Sequence, residues 1–242
     1  VSRSNPSEHL SNPSTRWFEW SGDKGEIKYY DKDSRKDMQV ALPFAFILLD
    51  ELASVRGWHD ASSSGIYSNE VRDTTQETLV VKSFKGGLIA EGKYKAIKLD
   101  VNAAGGDYNA SLYIAFKGES GEYVIGSLRM KGAALGSWME FRKAHRADIY
   151  KKAINIQSFV EGKKGSVTFR VPVFSLKVVS AEAEAMAVKL DTELQEFLKA
   201  YLQRNKRDQA ETIAQQPGHV TDEAVAAGVA PSRDITDDDI PF

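Results

Sequence analysis

The chain has 242 residues, 42% of them hydrophobic and 27% charged, with a net charge of −2; these are ordinary values for one large globular domain or one domain with appendages. It has no cysteine, which excludes disulfides, thiolate metal sites and a cysteine nucleophile, and fits a reducing cytosol. No apolar run approaches the roughly 18–20 residues of a membrane helix, and the start lacks the basic-then-apolar order of a signal peptide.

Residues 1–14 carry Ser-Asn-Pro-Ser twice, at 4–7 and 11–14, with almost no apolar content; a disordered leader is expected, with order beginning at Thr15. Trp17, Phe18 and Trp20 predict one strand, and Ile27 to Tyr30 a second, closed by the charged turn 31–36. The long apolar stretch 38–58 reads either as a bent barrel strand or as a helix over 44–55, and periodicity does not separate the two. Residues 60–77 are polar and turn-rich. Residues 78–84 predict a strand, and Gly86-Gly87 a turn into Leu88-Ile89-Ala90. A further strand is expected over 93–101, then one over 111–116 that pairs across a glycine turn with 123–128.

Residues 132–145 read as a helix, with Arg142, Lys143 and His145 in its last turn, where cations complement the helix dipole. Strands at about 151–160 and 166–179 follow, joined by 161–165. Residues 181–207 predict a long helix: Met186, Leu190, Leu194, Phe197, Leu198 and Tyr201 make one greasy stripe for the barrel or for a second copy. From 208 onward the composition becomes that of a flexible linker.

Charge is placed unevenly. From residue 211 onward seven acids face one base, while the rest holds 31 bases against 27 acids. A mildly basic body with an acidic end is the polarity expected when the body holds phosphates. The end itself is Asp237-Asp238-Asp239-Ile240-Pro241-Phe242, an oily tip on an acidic stalk. Burying that Phe is worth roughly 1.5–3 kcal/mol, which only another molecule can supply, and the carboxylates steer the tip towards a basic pocket.

This hexapeptide resembles the tail of bacterial and bacteriophage single-stranded-DNA-binding proteins. The resemblance implies that Asp237, Asp238, Asp239, Ile240, Pro241 and Phe242 recruit replication, recombination or repair proteins while a separate OB-fold body holds the strand. Over about residues 15–205 the body resembles a family of such proteins from tailed bacteriophages. It does so through Trp17-Phe-Glu-Trp-Ser-Gly22, Leu42-Pro-Phe44, Leu49-Asp-Glu-Leu52, Ser68-Asn-Glu-Val-Arg72 and Gly132-Ala-Ala-Leu135. It differs from the compact bacterial form. The implied setting is the cytoplasm of a bacterial host.

The expected class is therefore mainly β with helices (α+β). An OB-fold-like barrel with added hairpins would span 15–180, a C-terminal helix 181–207, and a linker with the acidic tail 208–242. Many strands, one helix and then two strands suit an OB barrel; the surplus strands form the hairpins.

A binder that tolerates any sequence needs cations along the phosphates and flat side chains under the bases. The candidates are Arg56 and Trp58 as a same-face pair, Lys82, Phe84 and Lys85, then Lys93, Tyr94 and Lys95, and finally Lys163 and Lys164 in the loop between the last two barrel strands. Trp17, Trp20, Tyr29 and Tyr30 rank below them because strand aromatics are more often core.

Catalytic signatures are weak. The four histidines have no metal-ligand spacing, residues 162–166 lack the gap of a P-loop, and no Gly-x-Ser-x-Gly elbow occurs. Glu91-Gly92-Lys93 with Asp73 is the best case for a Mg²⁺-dependent nuclease; an adaptor that displays the acidic tail without holding DNA is the other alternative. No enzyme activity, cofactor, metal site or membrane contact is expected, and a homo-oligomer is left open.

Overall fold

The computed structural model describes residues 11–214, with side chains through Asn205. Its strands are β1 (Arg16–Ser21), β2 (Glu26–Asp31), β3 (Lys36–Val40), β4 (Phe44–His59), β5 (Ser64–Ser68), β6 (Leu79–Ser83), β7 (Gly87–Gly92), β8 (Gly106–Lys117), β9 (Tyr123–Lys131), β10 (Ala153–Lys164) and β11 (Val167–Lys177). Its helices are α1 (Tyr94–Ala103), α2 (Gly132–Ala144) and α3 (Ala181–Ala214). The class is mixed α+β. One eleven-stranded sheet runs β3-β2-β1-β9-β8-β4-β5-β6-β7, and β10 pairs both β4 and β11.

The 44–58 stretch is a strand, and its unbroken apolar run has a cause. Phe44, Phe46 and Leu48 enter a core shared with α2, while Ile47 and Leu49 enter a second core under α3. A strand buried on both faces has no reason to alternate. A bulge between Leu48 and Asp50 then re-aims the strand. Beyond it Leu52 faces α3, while Ala53 and Val55 face a third core with α1.

Asp50 and Glu51, side by side in sequence, lock two different helices. Arg72 donates to Asp50 Oδ1 at 2.8 Å, and Gln195 of α3 donates to Asp50 Oδ2 at 2.9 Å. On the other face Glu51 accepts from the indole N–H of fully buried Trp138 at 3.2 Å and from Arg142 of α2 at 2.7 Å. Arg142, expected only as dipole-complementing charge, thus pairs with a carboxylate of the sheet.

The greasy stripe of α3 lies on the chain's own sheet. Ala183, Ala187, Leu190, Leu194, Phe197 and Leu198 pack against Ile47, Leu49, Leu52, Tyr113, Ala115 and Ile125. Each fully buried leucine contributes about 1.5–3 kcal/mol, so this face is occupied and offers no seam to a second copy.

Four expectations change. The expected strand over 93–101 is instead helix α1, with Lys93 as its extended N-cap: Tyr94, Ile97 and Val101 are its buried positions, and their three- and four-residue steps prevail over the local alternation of Lys93, Tyr94 and Lys95. Strand β5 was unforeseen in the polar 60–77 region, and the start of the 38–58 stretch forms a separate strand, β3. Residues 11–14 are not a free leader: the Ser14 side chain is buried, and its N–H donates to Asn12 Oδ1 at 2.9 Å. The long helix continues past 207 to Ala214. The acidic hexapeptide 237–242, the linker beyond 214 and residues 1–10 lie outside the described residues.

Candidate nucleic-acid interface

Past its bulge β4 alternates strictly. Val55 points into the core with α1, so Arg56 and Trp58 point to the opposite face. The ladder sets Arg56 opposite Tyr67 of β5, Tyr67 opposite Lys82 of β6, and Lys82 opposite Leu88 of β7. Directly opposed residues share a face. Four strands therefore present one row: guanidinium, phenol ring, ammonium, leucine.

Phe84 follows β6 and joins this row from the turn. Its N–H donates to Gly65 O at 3.1 Å, and its ring stacks on Tyr67 with centroids 4.6 Å apart and an interplanar angle of 27°. Gly65 makes the approach possible, because a Cβ there would stand 3.3 Å from the Phe84 ring. Opposite Gly65 in the ladder is Trp58. Trp58 is 56% exposed, Phe84 72% and Leu88 53%, which leaves three large apolar side chains in water on one small area.

A knot of serines holds the turns in place. Ser62 Oγ lies 2.8 Å from Ser64 Oγ and 2.7 Å from His59 Nδ1. Ser64 Oγ accepts from the Lys85 N–H at 3.2 Å, and Ser83 Oγ from the Gly86 N–H at 2.9 Å. On the far side, the Gly57 and Gly105 backbones pass so closely that a Cβ on Gly57 would sit 2.1 Å from Gly105 O, and the Trp58 N–H bonds that same oxygen at 3.2 Å. Short hydroxyls and glycines draw the β4–β6 turns together around Trp58 and Phe84.

Three cations of this face are unpaired, although Asp107 stands opposite Arg56 in the ladder. Among the described residues Arg56, Lys82 and Lys85 have no ion-pair partner within 4.0 Å. The same face continues onto β8 and β9, where Leu128 and Met130 point into the core, so Arg129 and Lys131 point out; Lys131 Nζ lies 3.7 Å from Asp107 Oδ2.

The candidates divide as follows. Arg56, Trp58, Lys82, Phe84 and Lys85 come together. Lys93, Tyr94 and Lys95 do not: they open α1, which packs on the opposite face of the β4–β7 sheet. Tyr94 is a core residue whose ring lies 4.8 Å from that of Tyr108, and burial pushes its phenol up to about 12. Lys163 and Lys164 are exposed at the end of β10. That strand pairs β4 only at Phe44–Phe46 and runs on beyond it, so the ladder leaves them off the end of β4 opposite Arg56. Of the lower-ranked aromatics, Trp20 is buried, and Trp17 carries the Lys32 ammonium 5.2 Å from its ring centroid. Asp73, from the nuclease alternative, accepts from both the N–H and the hydroxyl of Thr75, which lowers its carboxyl below the ordinary value.

Tyr67, Arg129 and Lys131 were absent from the sequence-based candidates. Tyr67 sits in Ser-Gly-Ile-Tyr-Ser, whose strand character shows only once it is paired. Arg129 had a legible signal, the alternation Ser127-Leu128-Arg129-Met130. No protein-family model, curated protein or solved structure matches the chain.

Proposed function

We propose that the protein binds single-stranded DNA, largely without sequence preference, on the face formed by Arg56, Trp58, Tyr67, Lys82, Phe84 and Lys85. The observation that carries this reading is the exposed ring of Phe84, stacked on the half-buried Tyr67 beside exposed Trp58 and bordered by unpaired cations. Every base has a π-face, so such a surface accepts any sequence, and the cations track the phosphates. The bound strand undergoes no covalent chemistry.

The strand order supports an OB-type body. Strand β4 pairs with both β8 and β10, β8 continues to β9, and α2 lies between β9 and β10. In that assignment β8 and β9 are the second and third barrel strands, and residues 60–105 expand the first loop, the one OB folds use to grip oligonucleotides. Strands β1–β3 and β5–β7 are then the added hairpins. Segment 237–242 recruits replication or recombination proteins, in the manner of the bacteriophage proteins it resembles, within a bacterial host cytoplasm.

Fluorescence anisotropy of a labelled oligo-dT tests the reading. Wild type binds at low salt, and the Phe84→Ala/Tyr67→Ala double variant binds far more weakly at an unchanged thermal midpoint. Equal affinity of the two proteins would refute this face as the site.

A further inference from the structure

Arg56 on β4 and Arg129 on β9, both half-buried, lie on the same side of the sheet as Trp58 and Tyr67, and the register places polar side chains between them. Arg129 is opposite Ser111, and Ser111 opposite Leu52; one step along, Ser54 is opposite Asn109; one step further, Arg56 is opposite Asp107. Ser54 and Asn109 thus occupy the diagonal from one arginine to the other. Both are fully buried; among the described residues Ser54 Oγ has no hydrogen-bond partner, whereas the Asn109 amide N–H donates to Asp107 O at 2.7 Å. Buried polar atoms are rarely left so. Among the described residues neither arginine has an ion-pair partner within 4.0 Å.

We propose that Arg56 and Arg129 form a seat for one phosphodiester of the bound strand, with the Ser54 hydroxyl beneath it. This rests on the single-strand reading above and adds the place where the backbone is fixed. Guanidinium forks match phosphate oxygens with paired hydrogen bonds, and the Ser54 hydroxyl is a donor free to turn towards the anion. The seat lies beside the Tyr67–Phe84 stack, since Arg56 is opposite Tyr67.

The electrostatics agree. Burial lowers the Arg129 guanidinium from its ordinary value and the like charge of Arg56 lowers it further, while Glu19 and Glu70 oppose both. Glu19 is the cross-strand neighbour of Arg129, and Glu70 already accepts from the Tyr113 hydroxyl at 2.9 Å. Among the described residues no carboxylate lies within 4.0 Å of either guanidinium, so both gain from an arriving phosphate.

The test is the salt dependence of oligo-dT binding by the full chain. One phosphate neutralised contributes roughly 0.7 to the log–log slope. Arg129→Gln and Arg56→Gln should each reduce the slope by about 0.7, and the double variant by about 0.7 as well, because both side chains serve one phosphate. A double loss of about 1.4, or no change in any variant, would overturn the shared seat. Should Arg129→Gln fail to fold, Arg129→Lys and Arg56→Lys decide: retained slope with weakened affinity supports the fork, and wild-type affinity contradicts it. Inorganic phosphate alone should shift the thermal midpoint no more than chloride at equal ionic strength. A phosphate-specific rise, lost in Arg129→Gln, would reassign the seat to a free ion. Failure of wild type to bind any oligonucleotide would instead sink the underlying reading.

Discussion

The ring of Phe84 lies 4.6 Å from that of Tyr67, 27° from parallel, although Phe84 is 72% exposed. A phenylalanine that stacks on a neighbour without leaving solvent gains little for the fold. The serine knot and Gly65 nonetheless hold it there, where the proposed function gives it a base to stack on. Each base stacked on such a ring contributes about 1–3 kcal/mol. Phe84→Ala should therefore weaken oligo-dT binding by roughly 5- to 150-fold and leave the urea midpoint unmoved. Titration of a labelled oligonucleotide and a urea melt read the two quantities separately.

Tyr94 should behave in the opposite way. As the first residue of α1 it packs into the core, and among the described residues its buried hydroxyl has no partner. Tyr94→Ala should cost about 3–5 kcal/mol, the usual range for deleting a large core aromatic. Tyr94→Phe should be neutral or stabilising, because it removes an unsatisfied polar atom. Neither variant should alter oligonucleotide affinity of the folded protein. A large loss of affinity in Tyr94→Phe would return this residue to the interface.

Much of the architecture was legible from pattern alone. The α2 and α3 helices, the β8–β9 pair and the β10–β11 hairpin follow from periodicity and glycine turns, and the outward pairing of Arg56 with Trp58 and of Lys82 with Phe84 follows from alternation. The errors have physical causes. Lys93, Tyr94 and Lys95 alternate over three residues, but the wider spacing of Tyr94, Ile97 and Val101 is helical, and the longer pattern decides which side is buried. Tyr67 was hidden because Ser-Gly-Ile-Tyr-Ser has too few apolar residues to announce a strand; only pairing to β4 and β6 makes it one. The closeness of Arg56 and Arg129 depends on the β4–β8–β9 register, which no local window contains.

Stability should fall on the alkaline side through buried tyrosines. Burial raises Tyr94 from about 10 to about 12, and raises Tyr108 and Tyr113 as well. The folded state keeps these phenols protonated where the unfolded chain has begun to lose the protons. The stabilisation is whole below about pH 10 and declines from there towards about pH 12, the folded value of Tyr94. Absorbance of tyrosinate should lag behind that of the denatured chain over this interval, and urea midpoints should drop with it. Flat midpoints from pH 9 to 12 would contradict the burial of these rings.

Glu51 should matter for the fold and not for DNA. Its removal leaves the Trp138 N–H unpaired in the core and Arg142 without its carboxylate. Glu51→Ala is expected to cost about 1–3 kcal/mol, the penalty of an orphaned buried donor, with a small addition from the partly exposed ion pair. Denaturant melts measure it, and the salt slope of DNA binding should stay at the wild-type value.

Anisotropy of a labelled oligo-dT with the full chain, against a duplex of equal length and across a salt series, decides whether this protein holds a single strand. The account predicts tight binding to the single strand, weaker binding to the duplex, and an affinity that falls steadily with salt and collapses when Tyr67 and Phe84 are both alanine. A folded wild-type protein that ignores the single strand in dilute buffer would contradict it.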